Sequence, residues 1–200
     1  YYGDTGDKIV EEDAPAGSSF LPRVCVQWEA AAAPAVAADI RVAHLRTGLV
    51  LSGEGGLLKR LKPIVQTGLA GRLGSGRQFM PWISLADEVA AIRFLIERDL
   101  SGPVNLTGPV PVPNAEFMSM LGHILHRPTV VPTPAIALKI ALGEFASDVL
   151  TGQRAVPAAL TAAGFEFQHA DPESALRRAG RPRELTNECP AQCPLKMSAQ

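Results

Sequence analysis

Apolar positions along this chain follow two periods, and stretches with one period alternate with stretches of the other. Leu21, Val24, Cys25, Trp28 and Ala32 fall at helical spacing, with Pro22 tolerated in the first turn and Pro34 ending or kinking the run. One face of that helix is expected to be buried. Ile40 to Leu45 reads as a short strand interrupted by Arg41 and His44, with Arg46, Thr47 and Gly48 at its carboxyl end. A glycine-rich turn at Gly53 to Gly56 then precedes Leu57, Leu58, Leu61, Ile64 and Val65, which return to helical spacing beside Lys59, Arg60 and Lys62. Phe79 to Leu85 predicts a strand, and Ala86 to Glu97 a helix burying Leu85, Val89, Ile92 and Ile96.

The alternation continues with a strand at Val104 to Thr107 between two Gly-Pro pairs, and a helix capped by Asn114 that buries Phe117, Met120, Leu121, Ile124 and Leu125. A brief extended segment at Thr129 to Val131 and apolar helices from Pro134 to Leu142 and from Phe145 to Leu150 come next. A last helical piece from Pro157 to Ala163 ends at Gly164. Arg181 to Gln200 lacks periodicity and reads as a disordered tail. Strands alternating with helices predict an α/β fold with a parallel sheet, whose carboxyl strand ends are where ligands bind.

Composition narrows the function. With 200 residues, 46% of them hydrophobic and 20% charged, the chain has enough apolar material for a core. A formal net charge of -1, with Arg and Lys scattered, argues against nucleic acid as a partner. No apolar run is long enough to span a bilayer, so no membrane partner is expected either. Three cysteines, with Cys25 far from Cys189 and Cys193, make no disulfide framework and point to a reducing, cytoplasmic setting. The chain opens at Tyr1 without a signal or transit segment, which suggests an internal start.

One stretch concentrates chemistry. Gly74 to Asp87 joins a glycine-hinged loop carrying Arg77, a stiff entry at Pro81, the flat face of Trp82 and a Ser84-x-x-Asp87 helix cap. It suits the wall of a ligand pocket and equally suits a tight loop before a buried strand. Neither the Walker pattern nor Gly-x-Gly-x-x-Gly occurs here or at Gly53 to Gly56, so no phosphate loop is assigned. A Ser84, His44 and Asp87 hydrolase lacks the Gly-x-Ser-x-Gly elbow, and Cys189, Cys193 and His169 lack zinc-site spacing. No metal is expected.

Several short motifs occur in a fixed order: Tyr1-Tyr2-Gly3-Asp4, Trp28-Glu29-Ala30-Ala31, His44 to Leu51, Gly74 to Gln78 with Pro81-Trp82-Ile83, Asn114 to Phe117, and Gly152 to Pro157. In that order they resemble the carboxyl-terminal part of the atypical, epimerase-like short-chain dehydrogenase/reductases, also called nucleoside-diphosphate-sugar epimerases. The resemblance runs from Tyr1 to about Ala179. It implies the carboxyl-terminal portion of a Rossmann-type doubly wound sheet plus a small, mostly helical substrate-side region. It also implies NAD or NADP as cofactor, a small carbonyl or sugar-like substrate, and a glycine fingerprint upstream of Tyr1. On this reading residues 1–47 are the remnant of the dinucleotide-binding domain and 48–180 the substrate side, with about 86–107 packing back on the sheet. The 200 residues alone are then expected to be inactive.

The resemblance also assigns residues. Leu21 and Cys25 stand where the superfamily carries its catalytic Tyr and Lys, and neither performs that acid-base chemistry. Tyr2 is the nearest surviving phenol, a contact to the nicotinamide or a packing aromatic. Arg46, Thr47 and Gly48 are expected on the cofactor side, a structural role for Arg46 being the rival. Arg77 and Trp82 are the candidates for touching substrate, because Met80 replaces the Arg that grips a diphosphate and Ser84 replaces a His common in the family. A catalytically degenerate dinucleotide sensor or partner-binding protein is the alternative function.

Overall fold

The computed structural model describes residues 1–68, 70–133 and 150–180. The helices expected at 134–142 and 145–150, and the tail from 181, fall wholly or almost wholly outside them. In chain order the elements are β1 (Ile9–Val10), α1 (Phe20–Ala31), α2 (Ala33–Ala37), β2 (Ala43–Thr47), β3 (Leu49–Leu51) and α3 (Gly56–Gln66). There follow β4 (Phe79–Met80), β5 (Trp82–Ser84), α4 (Leu85–Glu97), β6 (Gly102–Leu106), β7 (Val112–Pro113), α5 (Asn114–Ile124), β8 (Arg154–Ala155), α6 (Ala158–Ala162) and α7 (Pro172–Gly180). Three strand pairs are parallel, β1 with β8, β2 with β6 and β3 with β5, and β4 with β7 is antiparallel. The fold is α/β, as the alternating periods predict.

Strand ends depart from the sequence pattern because a strand extends only as far as its partner. Residues 40–42 precede the first partner that β6 offers, since the register opens at Ala43 opposite Gly102 and closes at Thr47 opposite Leu106. Arg46 and Thr47 therefore lie inside β2, and the strand expected at 40–45 sits two to three residues later. Arg41 instead turns its guanidinium to the carbonyls of Leu95 and Leu100, at 2.9 and 3.0 Å. The single strand expected at 79–85 is two strands. Pro81 has no N–H to give a ladder, and the chain changes partner there, from Val112 at Met80 to Leu49 at Trp82.

Two apolar clusters meet across β5. Trp82 belongs to the cluster built by α3, α5 and α7, while Ile83 belongs to the one that joins α4, β6 and α6. Alternation along an extended chain puts neighbouring side chains on opposite faces, so β5 serves both clusters. Trp82 is fully buried, and its indole N–H donates to the Val110 carbonyl at 2.7 Å. It is a core residue, which corrects its expected role of touching substrate.

Helix faces were less legible. In α4 the buried residues are Asp87, Glu88, Ala91 and Leu95; of the expected stripe Ile92 packs against the core, whereas Leu85, Val89 and Ile96 are exposed. The cause is polar: the Asp87 carboxylate accepts backbone N–H groups from Gln168 at 2.7 Å and His169 at 3.1 Å and rotates the helix toward them. Only Pro22 of α1 is buried, and Leu21 and Trp28 are exposed. Among the described residues β2 pairs with β6 alone. Asn114 does not cap α5 but opens it, its Oδ1 accepting the Leu73 N–H at 2.7 Å. Ser84 does cap α4, its Oγ accepting the Asp87 N–H at 3.0 Å.

Gly108 leaves room for the Trp82 indole, since a Cβ there would lie 2.7 Å from the ring. Gly108→Ala is expected to destabilise the fold by about 1–3 kcal/mol through overpacking, read as a lower urea midpoint at an unchanged slope.

Candidate functional site

Arg46 sits at the centre of a polar node whose members come from opposite ends of the chain. Its side chain is only 9% exposed, and Glu29 of α1 holds it in a bidentate pair, Nε to Oε1 at 2.8 Å and Nη2 to Oε2 at 2.9 Å. The remaining nitrogen, Nη1, donates to the Tyr2 hydroxyl at 3.0 Å and the Glu12 carbonyl at 2.9 Å, while the Tyr1 ring stacks 3.4 Å from the guanidinium carbon. Tyr2 passes its own proton to Asn105 Oδ1 at 2.7 Å. Asn105 is fully buried, gives its backbone N–H to the Glu12 carboxylate at 3.0 Å and its side-chain amide to the Val156 carbonyl at 2.9 Å. The same Glu12 oxygen accepts the Ala159 N–H at 3.1 Å.

The charges follow from these contacts. The Arg46 hydrogen bonds hold the Glu29 carboxyl below its ordinary range, against a smaller opposing effect of burial. Burial works against the Arg46 charge, but the bonds to Glu29 and Tyr2 outweigh it and keep the guanidinium above its usual value. Burial raises the Tyr2 phenol, and Arg46 and Asn105 offset part of that rise. Tyr2 is thus a neutral strut, bonded on both sides of its oxygen.

Beside the node lies a cavity of about 450 Å³. Every residue from Ala43 to Gly48 lines it, although successive side chains of a strand point to opposite faces. The cavity is therefore a groove along β2 that also reaches Asn105 of β6. Its other walls include Tyr1, Trp28, Thr107 and Gln153. Tyr2, Arg46, Thr47, Gly48 and Cys25 are brought together on this groove, while Leu21, Arg77 and Trp82 do not line it. Arg77 is exposed on the Gly74 to Gln78 loop, away from the groove, so that loop does not form its wall.

A second polar knot joins Ser84, Asp87 and His169. Ser84 Oγ donates to Asp87 Oδ2 at 2.6 Å, and His169 Nδ1 lies 3.1 Å from Ser84 Oγ and 3.3 Å from Asp87 Oδ2. Both partners meet the same ring nitrogen. The serine proton goes to the carboxylate and not to the imidazole, so the trio is a latch between the start of α4 and the segment before α7 rather than a hydrolytic triad. Sequence reading missed Glu12, Asn105, Gln153 and His169. Only Asn105 carried a signal, a polar residue inside the apolar run Val104 to Leu106.

Residues 133–179 match a family model described as a domain of unknown function, DUF1731. The chain is 53% identical over 171 residues to the epimerase family protein Mb2239 of Mycobacterium bovis, spanning 84% of this chain and 57% of that protein. The crystal structure of human epimerase family protein SDR39U1 (isoform 2) with NADPH superposes with a TM-score of 0.82 at 28% identity, covering 90% of this chain and 62% of that one. Over the part that it spans, the chain is similar to the epimerase-like short-chain dehydrogenase/reductases. It spans little more than half the length of the curated relatives that it matches. A nucleoside-diphosphate sugar epimerase from Corynebacterium glutamicum, at TM-score 0.70 and 35% identity over 88% of this chain and 34% of that one, has the same Rossmann-type architecture. Cys25 faces the groove, and Leu21 is half exposed outside it. Among the described residues no helix is long and apolar enough to cross a membrane.

The node makes stability acid-sensitive in a defined direction. A carboxyl depressed in the folded state contributes stability above its unfolded pKa of about 4.3 and loses it as pH falls through the folded value. Glu29→Gln is expected to cost roughly 3 kcal/mol at neutral pH, by leaving Arg46 buried without its charge partner, and to flatten the urea midpoint against pH in the acid range.

Proposed function

We propose that the groove along β2 is where the nicotinamide end of NAD or NADP meets a small carbonyl or sugar-like substrate, in an NAD(P)-dependent oxidoreductase or epimerase. The observation that carries this reading is the gathering of Tyr2, Arg46, Thr47 and Gly48 at the carboxyl end of a parallel strand, the edge at which open α/β sheets take ligands. The groove has the volume of a small-molecule site, and the Thr47 hydroxyl, Gln153 amide and His44 imidazole supply polar groups along an otherwise mixed surface. The NADPH in the human relative's structure supports the choice of cofactor. Thr47, Gly48 and Gln153 would hold the nicotinamide end, and the bound cofactor would supply hydride.

The chain's own residues divide the work. Arg46 is committed to Glu29 and Tyr2, so it holds β2, and with it Thr47 and Gly48, in place rather than gripping an anion. Tyr2, bonded to Arg46 and Asn105, fixes the groove floor. The second reading, a dinucleotide sensor without turnover, is favoured by Leu21 and Cys25 in place of the superfamily's acid-base pair.

Titration of the intact protein with NADPH and NADH, followed by quenching of tryptophan emission, is expected to saturate with at least one of them. Gln153→Leu should weaken that binding without lowering the thermal midpoint. Absence of saturation with both cofactors would contradict the proposal, and saturation without hydride loss to any carbonyl would favour the sensor.

A further inference from the structure

Two carboxylates stand side by side in the first turn of α4 and meet opposite surroundings. Asp87 accepts from Ser84, Gln168 and His169. Glu88 is 9% exposed, yet its Oε2 is buried with no hydrogen-bond partner, and its Oε1 meets one group, the Thr47 hydroxyl, at 3.0 Å. Among the described residues the elements packed around it bring no compensating charge. β3, β5 and β6 carry no titratable side chain, Asp87 is turned to its own partners, and Arg46 of β2 is bound to Glu29. An unpaired buried carboxylate is costly, and burial raises the Glu88 pKa above the ordinary carboxylate range.

A neutral carboxyl needs one acceptor for its proton, and Thr47 Oγ1 is the acceptor within reach. Once Glu88 donates to Thr47, the hydroxyl hydrogen of Thr47 is free to turn away from α4. Thr47 is exposed at the end of β2 and lines the groove. The pair therefore connects a buried acid to the cavity through one hydroxyl.

We propose that Thr47 and Glu88 form the proton relay of the groove, Thr47 donating to the oxygen of an uncharged carbonyl substrate and Glu88 restoring the Thr47 proton. The proposal rests on the reading of the groove as a hydride-transfer site. In the step the carbonyl π bond opens, its carbon gains hydride from a reduced nicotinamide, which is oxidised, and its oxygen gains the Thr47 proton. The Glu88 O–H bond breaks as a new O–H bond forms on Thr47, leaving a Glu88 carboxylate that takes a proton back from water. No positive group is needed at the carbonyl oxygen, so the substrate class is a neutral aldehyde, ketone or quinone.

Two readouts test this on the intact protein. Without cofactor, carbon-13 NMR of labelled glutamate carboxyls is expected to show one resonance titrating above the ordinary range. It should vanish in Glu88→Gln and move further up in Thr47→Val, because the Thr47 hydrogen bond lowers it. With NADPH and 9,10-phenanthrenequinone as the probe carbonyl, turnover should fall as pH rises through the Glu88 value. Glu88→Gln and Thr47→Val should each lose about 100-fold in kcat and the pH step, Thr47→Ser should restore both, and NADPH affinity should stay unchanged in Glu88→Gln, since Glu88 does not line the groove. A Glu88 carboxyl in the ordinary range overturns the relay, as does wild-type turnover with an unaltered pH profile in both variants. NADPH binding without quinone reduction overturns the relay and leaves the cofactor reading intact. Loss of NADPH binding by the wild-type protein overturns both.

Discussion

The bidentate pair between Arg46 and Glu29 is the constraint from which the rest of the site follows. Arg46 lies inside a strand and is nearly buried, so its charge is tolerable only while Glu29, the Tyr2 hydroxyl and the Glu12 carbonyl surround it. Those three partners belong to α1 and to the segment before it, which among the described residues have little apolar packing of their own. Polar bonds do there what a core does elsewhere. Through Asn105 and Glu12 the same node reaches β6, β8 and the start of α6, joining the first residues of the chain to its last third.

This arrangement explains the shape of the groove. β2 is held from one face by the node and along one edge by β6, and its residues border the cavity. Thr47 and Gly48 are thereby presented at a fixed position, with Gly48 pressed against the Pro81 carbonyl so closely that a Cβ would not fit. The Thr47 to Glu88 contact links a residue of the groove to a carboxyl buried under α4. A saturated Arg46 and an undersatisfied Glu88 thus belong to one site, the first immobilising it and the second proposed to supply its proton.

How much of this the chain declared in advance depends on whether the cause was local. The order of strands and helices was legible because periods of two and 3.6 are properties of neighbouring residues. The Ser84 cap and the Gly164 stop, with φ of 79°, were legible for the same reason. Strand ends were not, because β2 starts where β6 begins to pair, about 60 residues downstream. Nor was the face of α4, which a carboxylate bonded to residues some 80 positions away overrides. Glu12 bonds Asn105 and Ala159 at separations of 93 and 147 residues, and nothing in its polar loop marks it. Tyr2, Arg46, Thr47 and Gly48 could be brought together by motif order, whereas Trp82 was misread because a flat aromatic beside a loop looks the same whether it faces a ligand or a core.

A double-mutant cycle on Arg46→Met and Glu29→Met, followed by urea unfolding at neutral pH, tests the central role of the node most directly. If the pair holds the site together, each single change leaves a buried charge exposed to its loss and the double change recovers much of it, giving a coupling of about 2–3 kcal/mol. Additive losses, with coupling below about 0.5 kcal/mol, would show that Arg46 and Glu29 act independently and would contradict the account.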